Sequence, residues 1–251
     1  MCALPLRSYF QDENEQRLAL ESLGDWFDPN ELDLYDASRC AFDPSSSANS
    51  ALAHFSRIYH ELASPRWQVF RPSSPAACWP PQQVFNTITL EFPEFSWWGS
   101  INLLNFFRMV TAQRLDSCLA KMRGIKPKQE YPRMTVSKFL HFYNPGLFPI
   151  YDTKVIWEQV FKRFDSDFRR FCPTVGIQYA RAVQDGTEKF LRYYMLWANS
   201  LMSVAHPTFM QVFTEWLGKQ AGTMLARRSF DPATLYARAF EYTATGAANL
   251  S

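Results

Sequence analysis

SKFLHFYNPGLFPIYDTKV, residues 137–155, carries the decision about what this chain is. Lys138 and His141 share a short apolar segment, Asn144-Pro145-Gly146 stops it, and Leu147, Phe148 and Ile150 lead to Asp152-Thr153. Within TVSKFLHFYN (135–144), Val136, Phe139, Leu140 and Tyr143 recur at the i, i+3, i+4, i+7 spacing of a helix with one face on a core. Lys138 and His141 are i, i+3 neighbours on another edge of that helix. Pro145-Gly146 ends it. Asp152 has two readings. Asp is a preferred N-cap, and Asp-Thr is a good opening for a helix over DTKVIWEQVFKRF (152–164). The same Asp, framed by an apolar loop before it and a helix after it, is also held as a catalytic carboxylate has to be.

Working outward, the spacing predicts further helices. They fall over 11–27, over 49–64 with Leu52, Phe55, Ile58, Tyr59 and Leu62 on one face, and over 96–124. More follow over 186–205, 208–220 and 232–243, with the last eight residues frayed. The acidic, then Ser-rich stretch 28–48 reads as loop. Pro65, Pro72, Pro75, Pro80 and Pro81 make the region around them irregular. VFNTITLEF (84–92) fits a short strand or a buried helix equally well. The expected class is all-α, with a minor β-hairpin near 65–92 as its one β element. At 251 residues the chain is long enough for one domain of two lobes. Its N-terminal part, 1–95, is acidic and irregular, and its helical core, 96–251, holds the motif at 133–164.

Charge is distributed unevenly along the chain. Residues 1–60 hold ten acids and four bases, whereas residues 121–170 hold eleven bases and five acids. A basic middle around the motif points to an anion-binding surface, or to solvated helix faces. Aromatic residues are 16% of the chain, which a Phe-rich core accounts for and which also leaves rings for a flat ligand. The five cysteines, Cys2, Cys40, Cys78, Cys118 and Cys172, are odd in number, and no two stand at metal-ligand spacing. That argues against a disulfide framework, a zinc knuckle or an iron–sulfur cluster, and for reduced thiols in the cytoplasm. Nucleotide-binding glycine loops, the Gly-x-Ser-x-Gly nucleophile elbow and the His-Glu-x-x-His zinc motif are all missing. His54 and His60 are wrongly spaced to share a ligand. The sequence implies neither a metal nor a cofactor, and no apolar run reaches membrane-spanning length.

The motif resembles the helix-hairpin-helix DNA glycosylases, the superfamily of endonuclease III and the 8-oxoguanine glycosylases. Those proteins carry a lysine-bearing helix in their bifunctional members, a short apolar connection, and V-D-T-H-V/I opening the next helix. This chain has IYDTKV, with Lys138, His141 and Phe142 standing like the K…HF of the archaeal 8-oxoguanine branch. Where the family's hairpin has Gly-x-Gly, this chain has the single Gly124. The resemblance implies a two-lobed helical fold acting on duplex DNA with a flipped base. It makes Asp152 the carboxylate that stabilises an oxocarbenium-like sugar or orients the attacking water, and Lys138 a Schiff-base nucleophile. It implies that Trp97, Trp98, Tyr143, Tyr151 and His141 line the base pocket, with Phe95 beside the Trp pair. Lys121, Arg123, Lys126, Lys128, Arg133 and Lys154 then hold phosphates without reading sequence. The sequence does not name the target base; the resemblance implies a damaged base in cellular DNA, and the aromatic surplus would also suit a bulky modified base such as those of phage genomes. The competing reading is a non-catalytic helical module that binds nucleic acid or protein, in which Asp152 only caps a helix.

Overall fold

Every residue from Thr135 to Tyr143 is buried, on the polar edge of the motif helix as well as the apolar one. A helix buried all round lies inside a domain rather than on its surface, and the packing around it explains why. The computed structural model describes residues 4–63, 80–96, 112–122, 133–151, 158–174, 201–202 and 204–251. Among these the fold is all-α, without a strand. The chain forms two compact units, one of Met1–Asn30 with Tyr151–Ser251 and the other of Glu31–Ile150. The first unit begins with α1 (Ser8–Gln11) and α2 (Glu13–Glu21). The second holds α3 (Glu31–Ala41), α4 (Ala48–Ala63), α5 (Pro81–Glu91), α6 (Ala112–Lys121) and α7 (Arg133–Tyr143). The first then resumes with α8 (Asp165–Thr174), α9 (Phe209–Ala221) and α10 (Tyr236–Leu250).

In the second unit, α3, α4 and α5 all pack on α7. The α3 helix corrects the loop expected over 28–48. Its acidic residues Glu31 and Asp33 fall in the first turn, where the helix dipole favours them. Leu32, Tyr35, Ser38 and Ala41 form its buried stripe. The α5 helix resolves the ambiguity at 84–92 and removes the described part of the expected hairpin. Pro81 stands at a first helical position, where its missing N–H is no loss, and Val84 and Ile88 are buried one turn apart. Residues 64–79, the rest of that hairpin, lie outside the described residues. Leu115, Cys118, Leu119 and Met122 bury one face of α6. The core is aromatic. Phe139 packs against Phe55 and stacks on Tyr59, while Tyr143 meets the edge of Phe42 at 4.7 Å between centroids. The aromatic surplus is thus used largely in packing, each pair adding about 0.5–1.5 kcal/mol beyond area burial.

In the first unit, Asp12 caps α2 through Asn14 and Glu15 N–H, at 2.8 and 3.1 Å. Gly24 then turns the chain with φ +55°, a left-handed conformation that favours glycine. The α2 helix packs closely on α10 where Ala19 faces Gly246. Ser22 Oγ donates across this contact to the Gly246 carbonyl at 2.9 Å. The C-terminal residues are therefore helical rather than frayed. Small side chains at Ala244, Gly246, Ala247 and Ala248 let α10 bury, and the Arg163 guanidinium donates to the Ala248 carbonyl at its end. That is a common way to satisfy last-turn carbonyls.

Candidate functional site

The α7 helix puts Lys138 and His141 one turn apart, both inside the second unit. Lys138 is 6% exposed. An ammonium removed from water costs several kcal/mol unless its surroundings compensate, so a buried lysine is an expensive choice of core residue. Thr135 and Ser137, also buried, lie beside it in sequence and make this edge of the helix polar.

His141 is fully buried and both its ring nitrogens are engaged. Nδ1 lies 2.8 Å from the Phe148 carbonyl oxygen and Nε2 lies 2.9 Å from Tyr35 Oη. A carbonyl only accepts, so Nδ1 carries a proton and donates. In the neutral ring Nε2 is then an acceptor, and Tyr35 O–H donates to it. His141, expected to touch substrate, ties α3 to the loop that follows α7. Tyr35, its partner, stands in a stretch that sequence reading treats as loop, which is why the pair is invisible before folding.

That loop is held at several further points. Asn144 Nδ2 donates to the carbonyls of Phe95 and Ser96 at 3.0 and 3.2 Å, and its Oδ1 accepts from Gly146 N–H at 2.9 Å. Leu147 and Phe148 N–H donate back to the Asn144 carbonyl. The Phe148 ring packs against Phe92 at 5.5 Å and Phe95 at 6.1 Å. Leu147, Ile150 and Tyr151 are buried, so the apolar run does pin the connection. Tyr151, named as a pocket ring, is thereby part of a core.

Tyr143 is 1% exposed and donates its hydroxyl to the Phe92 carbonyl. Burial pushes its pKa far above the ordinary phenol value, so it remains a neutral donor. It stands five residues beyond Lys138, about 140° around the helix, and so faces away from the lysine. An open cleft of about 400 Å³ runs past it, lined also by Phe42, Phe85, Asp43 and Ser96. Ser45 donates to the Asp43 carboxylate with its hydroxyl at 2.7 Å and its N–H at 2.8 Å, holding that carboxyl below its usual range. On the neighbouring edge the Arg114 guanidinium lies 5.2 and 5.3 Å from the Phe92 and Phe95 ring centroids and pairs with Glu94. This pairing, mainly the hydrogen bond, holds the Glu94 carboxyl below the usual range.

The other expected site residues are distributed as follows. Asp152, Trp97, Trp98, Arg123, Lys126, Lys128 and Lys154 lie outside the described residues, and Arg133 is described through its backbone alone. Lys121 is exposed and ion-pairs with Glu91. Nearby bases counted in the positive middle also have acidic or carbonyl partners: Lys162 with Glu158, Arg169 with Asp165, and Arg163 with α10. The basic surplus is therefore partly neutralised locally. Among the described residues no group of three or more His, Cys, Asp or Glu stands ready to hold a metal ion. No helix among them is long and apolar enough to cross a membrane. Burial pushes the Cys118 thiol up to about 12, which makes it inert as a nucleophile.

The first unit holds a polar chain of its own. Gln16 Nε2 donates to the Phe209 carbonyl at 3.0 Å, which turns Gln16 Oε1 toward His206 Nε2 at 2.7 Å. Thr208 Oγ1 then shares its one proton between His206 Nδ1 and Glu13 Oε2, each 3.0 Å away. Burial is the largest influence on His206 and lowers its pKa, against the smaller opposing pull of Glu13 and Asp12.

No family model, no curated protein and no solved structure matches the chain.

Proposed function

We propose that this protein is a DNA glycosylase: it flips a damaged or modified base out of the duplex and cleaves its N-glycosidic bond, leaving an abasic site. The observation that carries the reading is Lys138, a lysine buried in a core helix, inside the one stretch that resembles the glycosylase motif. A solvated surface lysine, the ordinary expectation for such a residue, would not be there. A lysine amine held in place by a fold is the kind of group that forms Schiff bases with sugar carbons.

In this reaction, bond cleavage places positive charge on the sugar as the base departs with the bonding electrons. Asp152 supplies a fixed carboxylate to stabilise that charge and to orient the nucleophile. With water as nucleophile the product is an abasic site. With the Lys138 amine attacking C1′, the sugar is held as a protonated imine, and elimination of the 3′-phosphate then nicks the strand. The basic set Lys121, Arg123, Lys126, Lys128, Arg133 and Lys154 binds phosphates, so affinity falls steeply with salt.

The test is base release from duplexes that carry damaged or modified bases, read as alkali-labile sites. Asp152→Asn abolishes release and retains both fold and DNA binding, because Asn caps a helix about as well as Asp. Borohydride traps a covalent adduct in wild type and not in Lys138→Gln. Equal DNA binding by all three proteins with no abasic site on any substrate would return Asp152 to the role of a cap and the protein to a binding module.

A further inference from the structure

We propose that the cleft beside Tyr143 is a binding site for a small organic ammonium ion with an apolar body. The site lies wholly within the second unit, and the inference is independent of base release.

Three observations carry it. The first is shape. The cleft, about 400 Å³, is of the size that small-molecule sites have. Its wall is a fixed set of rings: Phe42 and Phe85 lie parallel, 4° apart with centroids at 5.4 Å, and Phe55 and Tyr143 meet Phe42 edge-on at 5.9 and 4.7 Å. Phe42 and Tyr143 are buried by this packing, whereas Phe85 is half-buried and keeps ring surface for a ligand. The second is charge. Asp43 lines the same cleft. Its Oδ1 accepts from the Ser45 N–H and hydroxyl, which favours the ionised form, and its Oδ2 takes no hydrogen bond among the described residues. Arg39 acts on it through space, without a hydrogen bond between them. Two helix ends meet at this rim. The carbonyl end of α3, at Ala41, favours a cation, and the amide end of α4, at Ala48, favours an anion. These partial charges oppose one another, and the full charge of Asp43 sets the sign.

The third observation is the supply of protons. The Tyr143 hydroxyl donates to the Phe92 carbonyl, the Ser46 hydroxyl to the Cys40 carbonyl at 3.1 Å, and the Thr89 hydroxyl to the Phe85 carbonyl at 3.0 Å. Each has given its one proton to the fold and has only lone pairs left. Pro44 and Pro93, also in the lining, have no N–H. Ser96 keeps a hydroxyl that serves as donor or acceptor. The lining side chains are therefore rich in acceptors and poor in donors. They suit a ligand that donates, with its ammonium toward Asp43 and its apolar body along Phe85. A carboxylate or phosphate finds at most the Ser96 hydroxyl among these side chains, and meets the Asp43 charge.

Phenethylammonium is the probe, with 2-phenylethanol and phenylacetate as neutral and anionic mates of similar shape. Saturation-transfer NMR titrations on the intact chain measure all three. The amine binds about 5- to 10-fold more tightly than the alcohol, the size of a charge-assisted hydrogen bond in a half-open site, and phenylacetate binds most weakly. Asp43→Asn keeps the turn, because the amide oxygen still accepts from Ser45. It lowers amine affinity to that of the alcohol and leaves the alcohol unchanged, so the alcohol reports that the cleft is intact. Thr89→Phe fills the cleft from α5 and gives up only a hydroxyl bonded within its own helix. It abolishes binding of both ligands. Equal affinity for amine and alcohol in wild type, a preference for the amine that survives in Asp43→Asn, undiminished binding by Thr89→Phe, or no binding of millimolar amine by wild type would each overturn the site.

Discussion

Replacing Gly246 with alanine puts the α2–α10 contact of the first unit to the test. A Cβ built at Gly246 would lie 1.9 Å from the Ala19 carbonyl oxygen and 2.5 Å from its carbonyl carbon. Both atoms are backbone, so no side chain can swing aside. To restore an ordinary contact of 3.4 Å, the α2–α10 seam must open by about 1.5 Å. A gap of 0.5–1 Å already forfeits a quarter to a half of the dispersion energy between facing atoms. The contact with Ala19 would be lost, and the Ser22 hydrogen bond to the Gly246 carbonyl would stretch. Overpacking of this kind costs about 1–3 kcal/mol and sometimes more, and the backbone clash puts Gly246→Ala at the upper end, about 3 kcal/mol. For a chain of this size that lowers Tm by about 6–12 °C. Gly218→Ala is the control. Gly218 lies within α9, and nothing stands within 4 Å of its added Cβ. The change there removes only unfolded-state freedom and stabilises by about 0.5–1 kcal/mol. Urea unfolding followed by circular dichroism measures both. A Gly246→Ala protein that unfolds at the wild-type midpoint, or above it, would refute the close seam.

Two predictions concern pH. Glu94 has a carboxyl lowered by Arg114, so its contribution to stability is present above the ordinary value of 4.5 and is lost as pH falls through the depressed folded value. Arg114→Met therefore destabilises by about 1–2 kcal/mol at neutral pH and flattens the acid limb below about pH 5, as read from unfolding free energy against pH. His206 has a folded pKa below its ordinary 6.5, so the folded state favours the neutral ring. Stability declines as pH falls through 6.5 toward the lowered value, and His206→Gln removes that slope. A slope unchanged in the variant would mean that the Gln16–His206–Thr208 chain does not set it.

Much of the fold is legible in the sequence wherever one face of a helix is apolar. The 49–64 pattern predicts α4 to within a residue, and Val136, Phe139, Leu140 and Tyr143 are buried as their spacing requires. Failures arise where tertiary packing changes the meaning of polar residues. The α3 helix begins with Glu31 and Asp33, which read as a solvated loop, yet those acids only fill its first turn. The end of α10 reads as frayed because its residues are small. Smallness is what allows it to approach α2, and no local property of Ala-Thr-Gly-Ala-Ala announces a partner helix. The same limit applies to the site. Lys138 and His141 occupy the polar edge of an amphipathic pattern, which normally faces water. Both are buried in the unit where α3, α4 and α5 pack on α7, a fact of topology rather than of spacing. Tyr35 lies 106 residues from His141 in sequence, and no motif links them.

The most direct test of glycosylase function is base release by wild type and Asp152→Asn side by side. Each is incubated with the same set of duplexes containing damaged or modified bases, treated with alkali, and resolved for strand breaks at the modified position. Alkali-dependent breaks with wild type that vanish in Asp152→Asn, at equal DNA affinity and equal Tm, are the predicted result. Breaks of equal yield from both proteins, or none from either while both bind DNA, would contradict a catalytic Asp152.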